Sequence, residues 1–361
     1  MTMRERMLAC YRNEAVDRPA LGIYTRYLKR GNMERLARNG GMGIIDYVAL
    51  TTQIGPPWHL IPEFFSQVKD TDISIEYLWQ GSRRIQRRKY VTPLGTIYAD
   101  VGSDIGDGSE HISHYYIQSP EDYRIMKYIV ENTVISSNEE ICCVRSRDLG
   151  EDGVVIGRVD RTPYQKLMLE LVGGENFLVD LCEDPEPVEE LMEAMYRRLD
   201  EEMRMAMDSK IEVIWMPENV TADMTPPHFF RKYHLEAYQR YTKWAHEAGK
   251  TVIAHFDGKV RMLQDLLNES GLDGLESLSN PNIGGDCTYE ELCRMFPNKA
   301  LLPNFPANLA ARSADEIGAY ISDLRATAER YGRSLMLQVS EDLPGDTYKT
   351  AIPIIVNAMK A

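Results

Sequence analysis

A histidine and several carboxylates recur at one kind of place in this chain, the end of a short apolar run. Thr251-Val252-Ile253-Ala254 is a stretch of small and β-branched residues that reads as a buried strand, and it ends in His255-Phe256-Asp257-Gly258, where the chain must turn. Similar runs end at Asp160, Glu218, Asn304 and Glu341, and Glu276 sits within another. In a parallel α/β protein the carboxyl ends of strands face the site, so these side chains would converge on one mouth. A ring of carboxylates around a histidine repels itself unless positive charge sits among them. A divalent cation is the economical solution. The expected ligands are His255, Glu276 and Glu341, with Glu218 and Asp257 as further ligands or as partners that orient the histidine. One imidazole among oxygens points first to zinc, with manganese and magnesium compatible. Taken singly, each residue has a plainer reading, a side chain hydrogen-bonded to a neighbouring loop; the set as a whole is harder to explain that way.

The elements that must position these residues are legible from their rhythm. Six strand–helix units follow residue 150, and Ala20-Leu21-Gly22-Ile23-Tyr24 and Asp46-Tyr47-Val48-Ala49-Leu50 add two early strands. The strand ends at 218, 255, 276, 304 and 341 lie 37, 21, 28 and 37 residues apart, lengths that suit βα units. The count of eight predicts an α/β fold, a (β/α)8 barrel with an N-terminal helical segment, over one domain spanning 1–361. An open doubly wound sheet is the alternative, but no GxGxxG follows the first strand. Residues 73–100 change character and read as an accessory antiparallel β ribbon with tight turns at Gly81 and Pro93-Leu94-Gly95. Five cations between 83 and 89 fall on both faces of that ribbon, the pattern of a solvated strand or of a docking face for an acidic partner. Gly55-Pro56-Pro57-Trp58-His59 reads as a rigid loop.

Bulk composition narrows the function classes. The chain has 361 residues, 43% of them hydrophobic, enough for a large core. A net charge of −14 argues against nucleic acid as the main partner. Six cysteines without a CxxC give neither a disulfide framework nor a thiolate zinc site. The charged start Met1-Thr2-Met3-Arg4-Glu5-Arg6-Met7 is not a signal peptide, and no apolar run is long enough to span a bilayer, so a cytoplasmic protein is expected.

Several stretches carry a resemblance that runs diffusely along nearly the whole chain. They are Met3-Arg4-Glu5-Arg6 with Asp17-Arg18-Pro19, Pro226-Pro227-His228-Phe229-Phe230 to Gly249-Lys250, His255-Phe256-Asp257-Gly258, and Glu341-Asp342-Leu343-Pro344. In order and spacing they resemble the uroporphyrinogen decarboxylase superfamily, which includes the cobalamin-dependent methyltransferases. True decarboxylases of that superfamily carry a Met-Arg-Gln-Ala-Gly-Arg segment that grips substrate carboxylates; this chain has Gly22-Ile23-Tyr24-Thr25-Arg26-Tyr27 there. The thiol-directed methyltransferases bind zinc through His-x-Cys and a later Cys. Here His255 is kept, Asp257 stands at the first cysteine and Glu341 near the second. Leu275-Glu276-Ser277-Leu278-Ser279-Asn280-Pro281 followed by Gly284-Gly285-Asp286 looks like the branch that demethylates methoxylated aromatics.

The resemblance therefore implies a methyltransferase that moves a methyl group from an aryl methyl ether to the cobalt of a corrinoid. No corrinoid module is recognisable, so the carrier would be a separate protein; a homodimer is compatible. In that setting Asp160 and Asn304 would contact substrate, and Tyr24 and Trp58 would stack on its ring, though packing is the plainer role for both. A decarboxylase of the same superfamily and a non-catalytic binding barrel are the alternatives.

Overall fold

Runs of Val, Ile, Leu and Ala buried on both faces cannot alternate with polar residues, and they are the signature of parallel strands covered by helices. Eight such runs form one sheet in the computed structural model, which describes residues 1–25, 28, 33–54, 67–81, 83–103 and 110–360. We number them β1 (Ala20–Tyr24), β2 (Gly43–Ala49), β3 (Gly153–Arg158), β4 (Val213–Met216), β5 (Thr251–His255), β6 (Gly274–Leu278), β7 (Ala300–Pro303) and β8 (Met336–Val339). The order in the sheet is β7-β6-β5-β4-β3-β2-β1-β8. A parallel bridge between Asn304 and Gln338, with Phe305 N donating to the Gln338 carbonyl at 2.7 Å, joins β7 to β8 and closes the circle. The architecture is the (β/α)8 barrel that the spacing predicts, and the open sheet is excluded.

The chain divides into two compact units. The first comprises Met1–Val48, Glu139–Arg158 and Met207–Ala361 and holds the barrel. Its first helix, Met3–Tyr11, starts with a capping box in which Thr2 and Glu5 satisfy each other's backbone N–H groups. Met3 and Met7 of that helix lie against Gly43 at the amino end of β2, where a Cβ would sit 2.2 Å from the Met7 sulfur. Helices Glu236–Glu247 and Ala314–Arg330 each bury one apolar face. No helix among the described residues is long and apolar enough to cross a membrane.

The second unit comprises Ala49–Asn138 and Val159–Ala206. The expected ribbon is here and is larger than 73–100. It is a four-stranded antiparallel sheet of Asp72–Gln80, Arg83–Thr92, Gly95–Ser103 and Glu110–His114 in sequential order. Helix Pro120–Glu131, capped by Ser119 and Asp122 as the Ser-Pro-Glu-Asp pattern predicts, buries Tyr123, Ile125, Met126, Ile129 and Val130.

Backbone contact within the barrel makes one glycine indispensable. A Cβ on Gly153 would lie 2.0 Å from the Ile44 carbonyl oxygen, so β2 and β3 approach too closely for any side chain. Gly318, inside helix Ala314–Arg330, meets nothing within 4 Å. Gly153→Ala should therefore destabilise by roughly 2–3 kcal/mol, whereas Gly318→Ala should stabilise by about 0.5–1 kcal/mol. Chemical denaturation of both variants measures this; equal midpoints would show that the β2–β3 approach is not a constraint.

Candidate active site

Glu276 lies on β6 with its side chain fully buried, and it accepts from strands on opposite sides of the barrel. The Tyr24 hydroxyl at the end of β1 donates to Oε1. Trp215 Nε1 of β4 donates to Oε2 at 3.1 Å, and His255 Nδ1 bonds the same oxygen at 2.7 Å. Only a side chain inside the barrel can reach β1, β4 and β5 at once. A buried carboxylate without partners costs several kcal/mol, and three donors offset that cost here. The backbone cooperates. Ser277 has φ +60, and the register with β7 shifts between Glu276 and Leu278, the signature of a bulge. Ser277 Oγ then meets Ser340 Oγ at 2.7 Å beyond β8. A non-glycine residue held at positive φ stores about 1–3 kcal/mol of strain, a feature that clusters at functional sites.

His255 ends β5 directly opposite Glu276 in the ladder. Burial by itself pulls the imidazole pKa down. The charge of Glu276, with Asp257 and Glu276 accepting from the ring N–H groups, outweighs burial and raises it to about 10. With Nδ1 taken by Glu276, Nε2 is turned toward Asp257 Oδ2 at 3.6 Å. Asn219, at φ +56 just beyond β4, donates from Nδ2 to that same oxygen at 2.8 Å. Burial pushes the Asp257 carboxyl up, but His255 and Asn219 outweigh it and hold it below its usual value. Gly258 follows because a Cβ there would lie 2.4 Å from Thr221 Cβ.

An aromatic wall flanks the pair. Trp215 packs edge-on to His255 with ring centroids 5.9 Å apart. Tyr47 of β2 lies 5.1 Å from Trp215 and 5.3 Å from Tyr24, and Tyr24 lies 6.1 Å from Trp215. Tyr24, expected to pack or to stack on a substrate ring, is buried and donates its hydroxyl to Glu276.

The remaining expected residues fall out as follows. His255, Asp257 and Glu276 come together. Glu276, expected as a metal ligand, has its oxygens turned to Tyr24, Trp215 and His255, the role of an orienting partner. Glu218 is buried just past β4, and Glu341 is half-buried past β8. Among the described residues, no three His, Cys, Asp or Glu side chains gather as a metal site, so the five-residue ligand set is not assembled. Asn304 is buried where the barrel closes, its Oδ1 accepting from Ser340 N at 3.3 Å while its Nδ2 has no hydrogen-bond partner among the described residues. Asp160 belongs to the second unit, where Lys166 Nζ donates to Oδ1 at 2.7 Å and Arg198 Nη1 lies 3.6 Å from Oδ2. Trp58 lies outside the described residues. Trp215, Tyr47 and Asn219 were not among the expected site residues. Trp215 had a signal: an indole in a strand buried on both faces must place its N–H on an acceptor.

The held imidazole makes a measurable signature. In protein stripped of divalent ions, the folded pKa of about 10 stands above the unfolded value of about 6.5. The stability His255 contributes is then present in full below pH about 6.5 and lost as pH rises through about 10. Glu276→Gln removes the strongest influence raising that pKa, so its melting temperature should no longer fall across this interval. Thermal melts over pH decide; a variant that falls as steeply as the parent would rule out Glu276 as the cause.

Comparison with known proteins bears on this geometry. The family model described as uroporphyrinogen decarboxylase (URO-D) matches residues 147–360. No curated protein matches the chain. Among solved structures, a methyltransferase from Methanosarcina mazei superposes with a TM-score of 0.57 at 13% identity, covering 100% of this chain and 98% of that one. A chitinase from Chromobacterium violaceum reaches a TM-score of 0.40 at 10% identity, covering 94% of this chain and 99% of that one, and carries no argument. At such identities the likeness is one of fold.

Proposed function

The chain belongs to the uroporphyrinogen decarboxylase family, and from that premise we propose that it is a methyltransferase moving a methyl group from an aryl methyl ether to the cobalt of a corrinoid held by a separate protein. One observation carries the reading: a buried imidazole, fixed from behind by Glu276, presents Nε2 beside Asp257 next to a wall of Tyr24, Tyr47 and Trp215. Such a wall suits a flat aromatic donor, and its one charged corner suits an ether oxygen that gains negative charge.

In the reaction the methyl carbon–oxygen bond breaks and a carbon–cobalt bond forms. Cobalt goes from the +1 to the +3 state by supplying the electron pair. The oxygen leaves with the old bonding pair as a phenolate, which takes a proton from water. The phenolate is a poor leaving group, so the site must stabilise its charge.

A divalent cation fits two of the residues present. It would be held by His255 Nε2 and Asp257 Oδ2, which lie 3.6 Å apart. We assign these two as the residues that would hold it, with zinc as first choice. When bound, the cation supplies a Lewis acid that draws charge from the ether oxygen. Glu276 fixes the imidazole's tautomer and direction, as carboxylates behind metal-bound histidines do. Asn219 fixes Asp257. Tyr24 and Trp215 hold Glu276 and keep water from it.

The test couples metal content to methyl transfer from a panel of methoxyarenes to free cob(I)alamin. His255→Ala and Asp257→Ala should lose the metal and activity together while keeping the fold. Glu276→Gln should lose about 10–100-fold in metal affinity or rate. Full activity in metal-free His255→Ala, or no methyl transfer from any member of the panel to either free cob(I)alamin or a corrinoid carrier, would sink the reading.

A further inference from the structure

The four-stranded sheet of the second unit leaves one strand at its edge. Asp72–Gln80 pairs with Arg83–Thr92 on one side, and among the described residues no strand pairs with its other side. Ile73, Ile75, Tyr77 and Trp79 alternate onto one face of that strand. Across the ladder they meet Tyr90, Arg88, Gln86 and Arg84. The inner part of this face, Arg88, Tyr90, Ile97, Ala99 and Val101, is buried. Toward the edge the cover ends: Ile73 is 39% exposed, Tyr77 58% and Trp79 72%. Tyr77 is also held in place. Arg84 lies 5.1 Å from the Tyr77 ring centroid, and Gln86 Nε2 donates to the Tyr77 hydroxyl at 3.2 Å. Tryptophan, tyrosine and arginine side by side and open to water are the chemistry of a binding hot spot.

Charge says what the surface fits. Residues 72–92 carry five cations against two carboxylates, a sum of +3, so the rest of the chain sums to −17. Glu76 is taken by Lys89 at 3.0 Å, and Arg87 is taken by Asp100. Arg84 has no carboxylate partner among the described residues. The tip therefore offers an unspent guanidinium beside an indole. A second copy of this chain fits poorly. The edge strand itself carries only Asp72 and Glu76 as charged residues, so pairing two copies of it would set like carboxylates together, and docking the tip on another copy's acidic surface is a head-to-tail contact with no two-fold partner. An acidic protein of another kind fits. We propose that this edge strand docks the separate corrinoid carrier through an acidic surface with an apolar cleft for Trp79, an inference that rests on the methyl-transfer reading.

The experiment compares two acceptors: free cob(I)alamin, and the cobalamin-loaded corrinoid carrier encoded nearest to this chain in its genome. In Trp79→Ala with Tyr77→Ala, and separately in Arg84→Glu, KM for the carrier should rise at least tenfold while kcat and transfer to free cob(I)alamin stay unchanged. The Arg84→Glu effect should shrink at high salt. Transfer to the carrier that is unaltered in these variants would overturn the docking site and leave methyl transfer standing. Failure of the unsubstituted protein with both acceptors would overturn methyl transfer and this proposal with it. Self-association of the unsubstituted chain in sedimentation, lost in Trp79→Ala, would assign the edge to a second copy and also overturn it.

Discussion

Glu276 is a carboxylate in a place where water cannot reach it, and the barrel's interior is arranged around satisfying it. Its two oxygens collect a phenol from β1, an indole from β4 and an imidazole from β5. No single neighbour could offset the desolvation of that charge, so three strands must arrive in register. The same demand explains the bulge at Ser277, which lets β6 place Glu276 inside and still pair with β7 on either side of the irregularity. Having given Nδ1 to Glu276, His255 has one direction left in which to act.

The second unit solves the same problem differently. Asp160, Glu170 and Glu202 are buried with Arg161, Lys166 and Arg198, three charges of each sign. Lys166 bridges Asp160 and Glu170, Arg161 binds Glu170, and Glu202 accepts from Thr51 Oγ1 and Gln53 Nε2. Arg198 Nη1 lies 3.6 Å from both Asp160 Oδ2 and Glu202 Oε2, and burial still pushes the Glu202 carboxyl up. In the barrel the buried carboxylate is matched largely by neutral donors, and the charge it induces falls on an imidazole that faces away from it.

Most of the fold was legible in the sequence because period and punctuation are local. Doubly buried strands announce themselves as unbroken apolar runs, as in Thr251–His255, and Ser119 with Asp122 marked a helix start in four residues. The candidate site was legible only in part. His255, Asp257 and Glu276 could be picked out by residue type at strand ends. Which way a carboxylate spends its lone pairs cannot, because that depends on partners such as Tyr24, 252 residues away from Glu276. Asp160 sits at a strand end like the others, yet its neighbours Lys166 and Arg198 come from later helices that no local pattern connects to it. Trp215 was hidden by looking like core, which it also is.

Barrel closure carries a consequence in time. β1 pairs with β2 and with β8, so Ala20 must wait for Met336 before its second ladder exists. Loop closure over such a span is slow and gains nothing until most of the intervening chain is in place. Glu276, with its donors on β1, β4 and β5, acquires its full set at that same late moment. The full set of donors around Glu276 is therefore complete only when β1 has taken its place in the barrel.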